Sequence, residues 1–339
     1  MTYPPGMTQD GATIDRIART RAYRAGEMTA EGFPVSAVSE YLAQPGTVVW
    51  VDLCAPDTVD MKIVADELGL HELAVEDAVE RLQRPKLDHY RTHDFLNMYA
   101  VRLNAETGEL DTSELSAFLT PNALVTVRKD EQFDIERVVA RWDRDSDLSH
   151  HQCGFLVYGL VDFVVDGHFE AVQELDGAIE ELEDLLFDDR SRDTEVQRRS
   201  FELRKSLVRL RKIVLPMREV INTLMRRDVR AIAPEMVPYF QDVYDHVLRA
   251  TEWTESLRDM VTTILETNLT IQGNRLNIIT KKVTSWAAII AVPTAVTGFY
   301  GQNVPFPGFG AEHGFITSSA LIIVLSVILY IVFRRKDWL

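Results

Sequence analysis

Two cysteines in 339 residues, Cys54 and Cys153, are too few for a disulfide framework, and that scarcity fits a reducing compartment. Basic residues are also in short supply. Only 36 Lys and Arg stand against 52 Asp and Glu, a formal net charge of −16. No nucleic-acid partner is expected, because neutralising phosphates requires cationic side chains in excess. The chain contains no Gly-Lys-Ser/Thr phosphate loop, so ATP-driven pumping is not expected, and no nucleophile–base pairing points to an enzyme. Nor does the N-terminal stretch hold the apolar core of an export signal. Arg16, Arg19, Arg21 and Arg24 stand there among polar residues, so the soluble part is expected to stay cytoplasmic.

Long apolar runs are confined to the last 60 residues. Val283 to Tyr300 and Phe315 to Phe333 carry no charged residue, and a bilayer-crossing helix needs roughly 17–25 residues. Arg275, Lys281 and Lys282 precede the first run, and Arg334, Arg335 and Lys336 follow the second. The loop between them, residues 301–314, has neither Lys nor Arg. The positive-inside rule therefore predicts a multi-pass protein of the cell (inner) membrane, with both termini cytoplasmic and the loop outside.

Ahead of the spans, residues 1–40 read as an irregular tail rich in Gly, Pro and Arg. Residues 41–150 read as an α/β domain. TVVWVDL (Thr47–Leu53) is a buried strand, Ala55-Pro56-Asp57 opens a helix to about Leu68, and a second short helix follows His71. Phe95–Leu103, Glu114–Leu119 and Ala123–Val127 form a meander. Residues 151–236 read as an acidic helical hairpin with an apolar stripe at Leu175, Ile179, Leu182 and Leu186, and with a break or bend near Pro216. After Pro238 no breaker but Gly273 occurs until Pro293, so one stalk helix over residues 237–300, about 90 Å long, is expected to continue into the first span.

One face of that helix is distinctive. Steps of seven from Asn277 give Thr284, Ala291 and Gly298, and steps of seven from Thr280 give Ala287, Thr294 and Gly301. All are small or polar, whereas Trp286, Ile289, Ile290, Val292 and Val296 lie elsewhere. Such a face suits close helix packing or a narrow wet channel, and spacing alone fits both. A chain with two spans encloses a water path only as several copies around an axis.

Tyr300-Gly301-Gln302-Asn303 resembles the Tyr-Gly-Met-Asn signature of the CorA family of divalent-cation channels. EDAVERLQRPK (Glu76–Lys86), LRKIVLPMREV (Leu210–Val220), VPYFQDVYDH (Val237–His246) and the basic C-terminus ending Asp337-Trp338-Leu339 are similar to that family too, so the resemblance covers roughly residues 45–339. It implies an α/β cytoplasmic domain followed by long helices and a two-helix transmembrane hairpin, assembled as a funnel-shaped homopentamer in the lipid bilayer. It further implies a pore lined by Asn277, Thr280, Thr284, Ala287, Ala291, Thr294 and Gly298, with Gly301, Gln302 and Asn303 as its selectivity loop. Regulatory magnesium would sit between Asp77 and Asp242 of the partner subunit, with Glu76 close by, and Glu266 matches a second acidic position. Magnesium is then both cargo and regulator, with cobalt or nickel as further cargo, and no organic cofactor is implied. Uptake would be driven by membrane potential and closed by cytoplasmic magnesium.

Physical chemistry is compatible with this. Magnesium sheds water reluctantly, and Asn side chains with backbone carbonyls accept hydrogen bonds from a hydrated ion without holding it too tightly to leave. Gly301 is expected to let the chain turn sharply at the end of the span. Gln302 departs from the family's Met, and the outer loop VPFPGFGAEHGF lacks the Met-Pro-Glu that often follows the signature, leaving Glu312 beside His313. These departures support an alternative, a proton-coupled zinc transporter of the same superfamily. An alternative of another class is a non-conducting, membrane-tethered metal sensor. Two further signals fail on ligand count. Asp143-Arg144-Asp145-Ser146-Asp147 lacks the Gly and Glu of a calcium loop and reads as a helix cap, and His150, His151 and Cys153 lack a second ligand pair for zinc.

Overall fold

The computed structural model describes residues 14, 17–80, 83–104, 107–144, 150–187, 193–226, 229–302, 310 and 312–339. The chain divides into two compact units, Met1–Thr263 and Ile264–Leu339.

The first unit is built on one sheet of β1 (Ala18–Arg24), β2 (Glu27–Glu31), β3 (Thr47–Cys54), β4 (Lys86–His89), β5 (Asp94–Leu103), β6 (Leu110–Leu119) and β7 (Ala123–Arg128), in the order β2-β1-β3-β7-β6-β5-β4. β3 and β7 run parallel, with Val49 opposite Ala123 and Leu53 opposite Val127, and the other neighbours are antiparallel. Thr47 to Leu53 is buried throughout, as expected of a strand covered on both faces.

On one face, α1 (Val38–Leu42), α2 (Thr58–Leu68) and α3 (Glu72–Val79) close a core containing Val49, Val51, Leu53, Met61, Val64, Ala74, Ala78, Val125 and Val127. α2 begins at a capping box, in which the Asp57 carboxylate accepts from the Val59 and Asp60 amides and the Asp60 carboxylate accepts from the Asp57 amide. It ends at Gly69, whose φ of 64° is the left-handed conformation that favours glycine.

Side chains alternate along a strand, so Trp50 points to the opposite face. There it meets Trp142 of α4 (Ile135–Arg144) edge-on, with ring centroids 5.1 Å apart. The Trp142 indole donates to the Leu156 carbonyl of α5 (Cys153–Phe187) at 3.2 Å. A Cβ at Gly159 would lie 2.6 Å from Trp142 Nε1, and the buried indole has no free direction in which to retreat. Gly159→Ala is therefore expected to destabilise the protein by about 1–3 kcal/mol, read as a fall in its thermal midpoint.

The stripe Leu175, Ile179, Leu182 and Leu186 on α5 is buried, and Leu203, Leu207, Leu210, Val214 and Ile221 of α6 (Asp193–Leu224) are buried as well. α6 runs as one helix through Pro216, so of the break or bend expected there the break is not found.

The irregular tail expected over residues 1–40 is also corrected, because β1 and β2 form a hairpin within it. ARTRAYR lacks an apolar alternation, but β1 takes its order from seven residue pairs with β3. Its charges are matched across the fold, since Arg21 donates to Glu31 at 2.8 Å and to Asp143 of α4 at 3.0 Å. Asp143 is thus an ion-pair partner in the last turn of α4 rather than a cap, while residues 145–149 lie outside the described residues.

α7 (Val237–Tyr300) contributes to both units, and α8 (Glu312–Arg335) lies in the second. Each includes a stretch long and apolar enough to cross a membrane, and almost none of either stretch is buried. Large apolar side chains stand uncovered along both, among them Trp286, Ile290, Phe315, Ile316 and Ile323. A surface of this kind requires lipid or neighbouring chains around it.

Candidate functional site

The acids of interest lie on α3 and α7. Ala74 and Ala78 anchor the inner side of α3, which leaves Glu76 exposed and Asp77 half-buried on the other side. Asp77 Oδ2 lies 2.6 Å from Lys86 Nζ, and the same ammonium lies 2.7 Å from Asp88 Oδ2. Below it is the Phe95 ring, its centroid 5.7 Å away. Burial works against the charge on Lys86, but hydrogen bonds to Asp77 and Asp88 outweigh it and raise the pKa above that of an ordinary lysine.

On α7, Phe240, Val243 and Val247 form the buried side, which turns Asp242 outward with its side chain 68% exposed. The neighbour of its carboxylate is His246 Nε2, at 4.0 Å. Asp77 and Asp242 therefore have different partners within one chain, a lysine for the first and a histidine for the second. Glu266, further along α7, is exposed.

One acidic cluster was not anticipated. Asp162 and Asp166, four residues apart on α5, come within metal-ligand reach of His246. The Arg141 guanidinium of α4 bonds both carboxylates, reaching Asp166 at 2.8 Å. Burial pushes the Asp162 carboxyl upward against the pull of Arg141. This cluster thus already contains a protein cation that bridges its two carboxylates. Three separate helices supply its members, so no local motif announces it. The i, i+4 acidic pair on an apolar helix was the one available signal. The Cys153 thiol is fully buried and pushed up to about 12 by that burial, which makes it an inert core residue.

In the first span, Asn277, Thr280, Thr284, Ala287, Ala291, Thr294 and Gly298 are all exposed in the single chain. α7 continues through Pro293 to Tyr300. Beyond the proline, Thr297 Oγ1 donates to the Pro293 carbonyl at 2.7 Å and Thr294 Oγ1 to the Ile290 carbonyl at 3.3 Å. These two hydroxyls are thereby turned back onto the helix.

Gly301 lies in the turn that follows α7, and it meets a second constraint there. Its amide donates to the Thr297 carbonyl at 2.8 Å, and a Cβ there would stand 2.9 Å from that same oxygen. Close approach to the helix end favours glycine in addition to the turn. Gln302 follows, exposed, with its amide on the Phe299 carbonyl. Asn303 lies outside the described residues. His313 is in the first turn of α8 and is exposed.

The model of the CorA-like Mg2+ transporter proteins matches residues 45–335. A cobalt/magnesium transport protein CorA of Thermotoga maritima is 30% identical over 297 residues, covering 86% of this chain and 84% of its own. A putative metal ion transporter of Bacillus subtilis, YfjQ, is 31% identical over 292 residues, covering 85% and 89%. The complete structure of the CorA magnesium transporter from Methanocaldococcus jannaschii superposes with a TM-score of 0.75 at 22% identity, covering 95% of this chain and 99% of that one. With a family match across most of its length, relatives alike over nearly their whole chains and two uncovered apolar helices, this protein belongs to the CorA family of divalent-metal transporters, which are membrane proteins and not enzymes.

Proposed function

We propose that the chain assembles as a homopentamer that passes magnesium, with cobalt or nickel as lesser cargo, into the cytoplasm down the membrane potential, and that cytoplasmic magnesium closes it. The observation that carries this reading is the row from Asn277 to Gly298, small, polar and uncovered on a span of a chain in this family. Five such rows facing one axis would leave a wet path flanked by bulkier residues, with both termini cytoplasmic and residues 301–314 outside. A potential of 100 mV contributes about 2.3 kcal/mol per charge, and twice that for a dication. A ring of Asn303 side chains at the mouth would accept hydrogen bonds from the ion's waters.

Closure is assigned to Asp77 and Asp242. The outward Asp242 carboxylate is free to meet a neighbouring subunit, and carboxylates that repel when bare are drawn together through a shared cation. Two acids and several retained waters suit the oxygen preference of magnesium.

Flux into liposomes from the purified protein tests the reading. Magnesium influx that follows an inside-negative potential, and a loss of at least tenfold with Asn303→Ala, are expected. Zinc flux that tracks a proton gradient without magnesium flux would replace magnesium by zinc as cargo. Absence of every cation flux from correctly assembled protein would leave the sensor reading.

A further inference from the structure

Asp77 is not an empty ligand waiting for metal. Its carboxylate holds the Lys86 ammonium at 2.6 Å, and that ammonium is shared with Asp88 at 2.7 Å and lies over the Phe95 ring. We propose that Lys86 is a tethered counter-ion that occupies Asp77 while the regulatory site is vacant and is displaced from it, towards Asp88, when a divalent cation binds. The proposal rests on the reading of Asp77 as a regulatory ligand.

Three features support an exchange instead of a permanent pair. First, Lys86 and Asp77 are each about one-quarter exposed, so neither the departing ammonium nor the arriving ion has to cross a dry interior. Second, Lys86 has somewhere to go. Asp88 already accepts from it and the Phe95 face remains beneath it, so leaving Asp77 does not strand a charge. Third, an ammonium is a single point charge on a flexible stem, whereas a guanidinium grips a carboxylate with two parallel bonds. The contrast exists within the same molecule, where Arg128 grips the Asp52 carboxylate through both Nε, at 3.2 Å, and Nη2, at 2.7 Å. One carboxylate is closed by a fork, and the other is covered by a cation that can be released.

The consequence is a set point. Because the divalent ion competes with a cation that is always present at fixed effective concentration, Lys86 raises the magnesium level needed to occupy the site. Removing the competitor lowers that level, and strengthening it raises that level. Charge alone predicts no change for lysine to arginine, but exchange does.

The test is a magnesium titration of full-length protein in detergent, read as the concentration giving half of the rise in thermal unfolding midpoint and, separately, half-inhibition of flux in liposomes. Lys86→Gln is expected to lower both concentrations about tenfold, equivalent to about 1.4 kcal/mol. Lys86→Arg, with net charge unchanged, is expected to raise them at least threefold. Asp77→Asn is expected to abolish the stabilisation or to raise its midpoint at least tenfold. If Asp77→Asn behaves so while Lys86→Arg stays within twofold of the native protein, the exchange is wrong and the regulatory role of Asp77 stands. If Asp77→Asn leaves the titration unchanged, the underlying reading fails and the exchange with it. Should Lys86→Gln not assemble, the arginine variant decides alone.

Discussion

Asp52→Ala is expected to destabilise the protein by about 3–5 kcal/mol, the cost of removing one member of a buried ion pair. Asp52 is fully buried in the middle of the sheet, on β3, and accepts from Arg128 Nη2 of β7 at 2.7 Å and from Thr126 Oγ1 at 2.7 Å. Without it the Arg128 guanidinium, itself nearly buried, keeps a single hydrogen bond among the described residues, to the Phe133 carbonyl at 3.3 Å. The penalty comes from the stranded cation more than from the lost attraction. The double variant Asp52→Leu, Arg128→Met is therefore expected to be more stable than Asp52→Ala alone. Thermal or denaturant midpoints of the three variants check this. A double variant no better than the single one would show that the pair supports the sheet directly.

Acid is expected to weaken the fold well above the range in which carboxylates titrate, through His168. This side chain is fully buried, and burial pushes its pKa down to about 4, against a smaller upward pull from the Tyr99 carbonyl that it bonds at 2.7 Å. Its Nδ1 has no hydrogen-bond partner among the described residues, so a proton placed there would be a buried charge without an acceptor. The unfolded chain binds that proton near pH 6.5 and the folded one only near pH 4, so stability falls as pH drops through this window. The full effect is about 3 kcal/mol by pH 4. His93 is likewise held at about 4 by burial and by nearby His71, and adds in the same direction. His168→Gln should make the loss between pH 6.5 and 4 shallower by about one proton. An unchanged slope would place the titration elsewhere.

Much of the fold was readable from local pattern, and the failures share a cause. The Asp57 cap, the α5 stripe and the uncharged spans are signals a segment carries by itself. β1 was missed because its strand character comes from β3 and from Glu31 and Asp143, and not from its own residues. The Arg141–Asp162–Asp166–His246 cluster was invisible because α4, α5 and α7 meet only in three dimensions. For Gly301 the turn was legible, but the crowding of a Cβ by the Thr297 carbonyl was not. For Asp77 the motif pointed to the residue, and only the coordinates placed Lys86 upon it.

The lone parallel pairing of β3 with β7 bears on how the protein is made. Val49 finds its hydrogen-bonded neighbour at Ala123, more than seventy residues later, with β4, β5 and β6 intervening. A ribosome-bound nascent chain can pair β3 with β1 early, but it leaves the other edge of that apolar strand open until β7 emerges. Closure of so large a loop is slow and leaves that strand vulnerable to aggregation meanwhile. Translation halted between the two strands should yield a species that needs chaperone shelter, and release from that need should coincide with emergence of residues 123–128.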